Sequence, residues 1–75
     1  MITLSDGTEL NTYLACAICE GFCEGENYQD KDNILLAWSY VGKNKLYLTL
    51  QGFYGRTLRN LVGAGYLDEN FNVLV

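Results

Sequence analysis

The sequence contains no histidine and no proline. Without histidine, the chain lacks the commonest general base near neutral pH and a common metal ligand. Without proline, its helices must be ended by glycine or by polar capping residues. It has only three cysteines, and an odd count argues against a secreted disulfide framework. No apolar run approaches the roughly 20 residues needed to cross a bilayer. The opening stretch MITLSDGTEL has neither the basic start nor the apolar run of a signal peptide. These absences point to a cytoplasmic protein with no membrane partner.

Catalytic arrangements are missing as well. No serine or cysteine has a base to activate it. The glycines of segments 52–55 and 63–65 lack the lysine and the strand context of a phosphate-binding loop. Glu24 and Glu26 form a carboxylate pair, but they fall in a polar stretch with no sign of burial. The expectation is a non-enzymatic protein that needs no cofactor.

The chain does hold enough apolar material to fold alone. Its 75 residues make one domain, residues 1–75, and 49% of them are hydrophobic. Six tyrosines, three phenylalanines and Trp38 supply bulk to a small core. Tyrosine and tryptophan also favour surfaces that are half wet and half apolar. The net charge of −4 is unevenly spread. Residues 1–32 carry seven carboxylates against Lys31, whereas residues 33–75 carry four basic side chains against Asp68 and Glu69. Such asymmetry marks two different faces.

Hydrophobic spacing predicts a β-α-α-β-α-β order, an α+β domain with a small antiparallel sheet. Residues 1–4 alternate as on a strand. Asp6 or Thr8 can cap a helix over residues 8–22, with Leu10, Leu14, Ala17 and Ile18 on one face. Asp6-Gly7 is also a hairpin signal, which leaves a strand at residues 8–11 as the alternative. A loop over 25–32 leads to a helix over 33–41 that Gly42 would stop. Ile34, Ala37, Trp38 and Val41 form its inner side and Leu36 and Tyr40 the other. It is therefore either central or covered by a partner, including a second copy in a homodimer. The alternation of Leu46, Leu48 and Leu50 predicts a strand over 45–51. A third helix follows over 52–66. A turn at Asp68-Glu69-Asn70 then leads to a last strand over 71–75.

The segment GRTLRNLVGAGYL resembles the recognition helix and exit turn of winged-helix and helix-turn-helix regulators. Leu58, Leu61 and Val62 stand as its inward aliphatics, Gly65-Tyr66-Leu67 as its exit, and residues 71–75 as the wing strand. The likeness covers residues 52–75. It implies a winged-helix-like core, with Arg56, Thr57, Arg59 and Asn60 where that family contacts DNA. The chain departs from the pattern in its acidic charge and in a strand, not a short turn, after the second helix.

Three surfaces emerge. Cys16, Cys19 and Cys23 fall within a roughly 60° stripe of the first helix. Such thiols can hold zinc or an iron–sulfur cluster, or can pack as small hydrophobes. Lys43, Lys45, Arg56, Thr57, Arg59 and Asn60 interleave with aromatics and suit a nucleic acid, though so few charges limit affinity. Glu20, Glu24 and Glu26, with Leu36 and Tyr40, suit a protein partner. A small carboxylate-rich protein can occupy a basic surface, as small acidic inhibitors from phages and mobile elements do. The reading that ranks first is a small interaction or regulatory protein. A nucleic-acid module ranks second and a three-cysteine metal or redox site third.

Overall fold

The computed structural model describes residues 2–49 and 52–74. Among these residues, three helices build the fold: α1 (Thr12–Glu20), α2 (Lys31–Lys43) and α3 (Gly52–Gly63). Two short 3₁₀ segments, Cys23–Tyr28 and Leu46–Leu48, lie between them. The expected α+β class is overturned. Among the described residues the only β pairing is two isolated antiparallel bridges, Thr3 with Glu9 and Leu67 with Val73.

The N-terminal hairpin explains where α1 begins. Gly7 turns the chain at φ 89°. The Leu4 N–H then donates to the Thr8 carbonyl at 2.8 Å, and the Leu10 N–H to the Ile2 carbonyl at 2.9 Å. Residues 8–10 are thereby committed to the return arm of this hairpin, so the helix cannot start at residue 8. It starts after Asn11, whose side chain accepts the Leu14 N–H at 2.8 Å. It ends at Gly21, left-handed at φ 73°, where the Phe22 N–H reaches back to the Ala17 carbonyl at 3.1 Å.

Of the expected loop over 25–32, residues 31–32 belong to α2 and residues 25–28 to a 3₁₀ turn that folds back on α1. Gly25 is buried there, and a Cβ on it would fall 2.2 Å from the carbonyl carbon and oxygen of Ala17. The side-chain amide of Gln29 ties the two segments by donating to the carbonyls of Ile18 (3.0 Å) and Gly25 (2.8 Å).

Helix α2 is longer than its apolar pattern implied. Asp30 caps it by accepting the Asn33 N–H. Gly42 does not stop it. Gly42 is a buried helical residue against which the ring of Phe71 lies, so close that a Cβ would sit 2.4 Å from that ring. The stop is Asn44, whose N–H and side-chain amide both donate to the Tyr40 carbonyl. The helix is buried nearly all round: Leu35, Ala37, Trp38, Ser39 and Val41 are interior. Leu36 and Tyr40 are half-buried and pack on the same core. Of the two alternatives for an all-apolar helix, α2 takes the central one.

Over its described residues, 45–49, the expected strand over 45–51 is a turn. Lys45 adopts a left-handed conformation at φ 55° and Leu46–Leu48 forms a 3₁₀ turn. Leu48 is 69% exposed, so the leucine alternation does not mark an inner face. Leu50 and Gln51 lie outside the described residues. A strand would need an edge to pair with, and each terminal hairpin offers one bridge only.

Helix α3 ends three residues earlier than expected. Gly65 turns left-handed at φ 85°, the Tyr66 N–H donates to the Leu61 carbonyl at 3.0 Å, and Leu67 enters the core. The final segment is a single bridged hairpin rather than a strand over 71–75. Phe71 stands at φ 65°, which breaks extended pairing, and Val75 lies outside the described residues. The core joins Leu4, Leu10, Leu14, Ile18, Trp38, Val41, Tyr54, Leu58 and Leu67. Trp38 meets the rings of Phe53 (5.7 Å) and Tyr54 (5.5 Å).

Candidate interaction surfaces

All seven carboxylates of residues 1–32 are solvent-exposed. Three are held in place by tyrosine hydroxyls. Tyr28 donates to Asp6 at 2.7 Å, and Tyr13 to Glu24 at 2.9 Å. Tyr54, 2% exposed and part of the core, donates to Glu20. These bonds join the N-terminal hairpin to the 3₁₀ segment, the 3₁₀ segment to α1, and α1 to α3. A hydroxyl that donates to a carboxylate favours its ionised form. Asp6 is accordingly held below the usual carboxylate range by the Thr8 N–H and the Tyr28 hydroxyl. Glu24 is lowered by its own N–H and the Tyr13 hydroxyl. The Tyr13 phenol is pushed up to about 12 by hydrogen bonding to Cys23 and Glu24. Glu26 sits exposed on the same 3₁₀ segment.

Sequence spacing gave no sign of these tyrosine–carboxylate pairs, which span 11 to 34 residues. It also missed a buried polar centre. Asn33 accepts the Ser5 N–H at 2.9 Å and donates to Ser5 Oγ (2.9 Å) and Asp30 Oδ1 (2.8 Å). The bonds fasten the N-terminal hairpin to α2.

The basic candidates lie on and before α3. Lys43, Lys45, Arg56, Arg59 and Asn60 are exposed and Thr57 is half-buried. Carboxylates of the C-terminal hairpin temper this charge. Lys43 is close enough to help lower Asp68, whose main cause is the Asn72 N–H. Glu69 shares a groove wall with Arg59.

The cysteines do not form the expected stripe. α1 ends before Cys23, which begins the 3₁₀ segment at φ 50°. Cys16 and Cys19 are half-buried against the core, and Cys23 is exposed. Burial, then the neighbouring Cys16 and Glu20, push the Cys19 thiol far up, so it stays protonated. Among the described residues no group of three or more cysteines and carboxylates is arranged to hold a metal ion.

Two shallow apolar grooves flank the second half of α3. One, of about 360 Å³, is lined by Tyr47, Gly55, Leu58, Arg59, Val62, Glu69 and Phe71. The other, of about 390 Å³, lies between Ile34, Leu35, Leu61 and Tyr66, with the Lys31 ammonium 5.4 Å from the Tyr66 ring centre. Among the described residues no helix is long and apolar enough to cross a membrane. No protein-family model, curated protein or solved structure matches the chain.

Proposed function

We propose that the chain is a small non-enzymatic interaction protein that presents its acidic first half to a basic surface of another protein. Its regulatory mode would be that of small acidic inhibitors carried by phages and mobile elements. The observation that carries this reading is the fixing of Asp6, Glu20 and Glu24 by tyrosine hydroxyls. Exposed carboxylates usually move freely, and immobilising a flexible side chain on binding costs about 0.5–1.5 kcal/mol. Here part of that ordering is already done in the free protein. Surplus negative charge also steers a basic partner towards the contact and makes association fall with salt.

The test is recovery of a partner on immobilised protein, followed by charge reversal. Glu24→Lys with Glu26→Lys should weaken capture, and wild-type capture should decline as salt rises. Circular dichroism checks that the variant is folded. Capture that ignores both reversal and salt would refute the acidic contact.

A second reading has its own support. Arg56, Arg59 and Asn60 stand exposed on one helix, α3. As a nucleic-acid module, the chain would lose salt-sensitive DNA affinity on Arg56→Ala or Arg59→Ala. No mobility shift at low salt would rule the module out.

A further inference from the structure

We infer that the groove between α3 and the C-terminal hairpin is a second docking site, which takes a segment of a partner protein whose apolar anchor side chain lies beside a carboxylate. The inference goes beyond the acidic-surface reading and does not depend on it.

The groove is preformed. Tyr47 and Phe71 stand with ring centres 5.8 Å apart as one wall. Leu58 and Val62 of α3 supply the opposite side. Phe71 cannot swing away easily, because Ser39 Oγ donates to its carbonyl at 2.6 Å and Gly42 admits its ring against α2. A bulky residue at positive φ is a strained conformation. That strain places the ring at the groove, and such outliers recur at ligand clamps.

Gly55 points the same way. It lies inside α3 with ordinary helical φ, and a Cβ there would meet nothing within 4 Å. Neither conformation nor crowding in the folded chain calls for glycine, which weakens a helix relative to alanine. Its missing side chain bares the α3 backbone along the groove, where an occupant can come close.

Charge selects the occupant. Helix α3 contains no acidic residue, and Arg59, one turn on from Gly55, is exposed on the side that carries it. Arg59 is on the groove wall itself. Its guanidinium can grip a carboxylate in a forked pair while the anchor fills the space between Tyr47, Phe71, Leu58 and Val62. Glu69 at the groove disfavours an occupant acidic throughout.

The test uses a display library of random peptides selected on the intact protein. Selected peptides should share an aromatic or branched anchor next to aspartate or glutamate, and should shift the amide resonances of Gly55, Val62 and Phe71. Gly55→Leu fills the groove and should weaken these peptides about tenfold. The same variant should melt no lower than wild type, since leucine suits a helix better than glycine. Arg59→Glu should weaken acidic-flanked peptides and spare neutral controls. Glu24→Lys with Glu26→Lys should leave peptide binding unchanged, which separates this site from the acidic surface. A consensus without an acid, binding indifferent to Gly55→Leu, or occupation of the groove by a second copy of the chain, seen as a dimer lost in that variant, would each overturn the inference.

Discussion

Gly25→Ala tests whether α1 and the first 3₁₀ segment pack backbone to backbone. The added Cβ would lie 2.2 Å from the Ala17 carbonyl carbon and oxygen and 2.5 Å from the Ile18 nitrogen. The obstacle is backbone, so no rotamer change relieves it. The segments must part by roughly an ångström, and overpacking of this kind costs about 1–3 kcal/mol. Separation also stretches the two Gln29 amide bonds, now 3.0 and 2.8 Å. Each such bond contributes about 1 kcal/mol. The expected loss is therefore about 3–5 kcal/mol. A chain of 75 residues has a total stability of roughly 4–11 kcal/mol. At about 4–8 °C per kcal/mol, the melting temperature should fall by ~12–40 °C. Trp38, 4% exposed, is the reporter: thermal and urea unfolding are followed by its emission and checked by circular dichroism. Gly7→Ala is the control, since Gly7 has a positive φ of 89° but open space around it. It should lose only about 1–2 kcal/mol, from conformation alone. A Gly25→Ala protein that melts within ~5 °C of wild type would refute the close approach.

Gly42→Ala should displace the Phe71 ring and undock the C-terminal hairpin, with a loss of about 1–3 kcal/mol in urea unfolding and faster amide exchange at Leu67 and Val73. Thiol labelling of the folded protein should modify exposed Cys23 first and Cys19 last, with all three reacting at similar rates once unfolded. Alkali should unfold the protein as pH rises above about 9, the ordinary thiol value. Cys19 and Tyr54 have raised pKa values in the fold, so the unfolded chain releases their protons first and is favoured. In acid the sign reverses. Asp6, Glu24 and Asp68 are depressed in the fold, so their contribution is present above the usual carboxylate range and is lost as pH falls through it. A pH titration of the melting temperature checks both limbs.

The helices were legible because their patterns are local. Leu14, Ala17 and Ile18 share a face of α1, and Trp38 and Val41 a face of α2, whatever else the chain does. The cap of α2 was readable only as a choice between two short polar residues, Asp30 and Asp32, and the structure takes Asp30. The N-terminal hairpin was legible only as an alternative, since Asp6-Gly7 serves a turn and a helix start equally well. The leucine alternation of residues 45–51 misled for a physical reason. A strand borrows its hydrogen bonds from another segment, and no local pattern says whether that segment exists.

The candidate surfaces divide along the same line. The composition by itself determined the acidic first half, the basic α3 face and the lack of a histidine base. Charge and residue type do not depend on folding. Only the tertiary structure decided which carboxylates are fixed, because Tyr54 meets Glu20 across 34 residues and Tyr28 meets Asp6 across 22. It alone placed Cys23 off the α1 stripe and Phe71 against Gly42. Each of these depends on how closely two distant backbones approach, and that distance is set by the packing of the whole core.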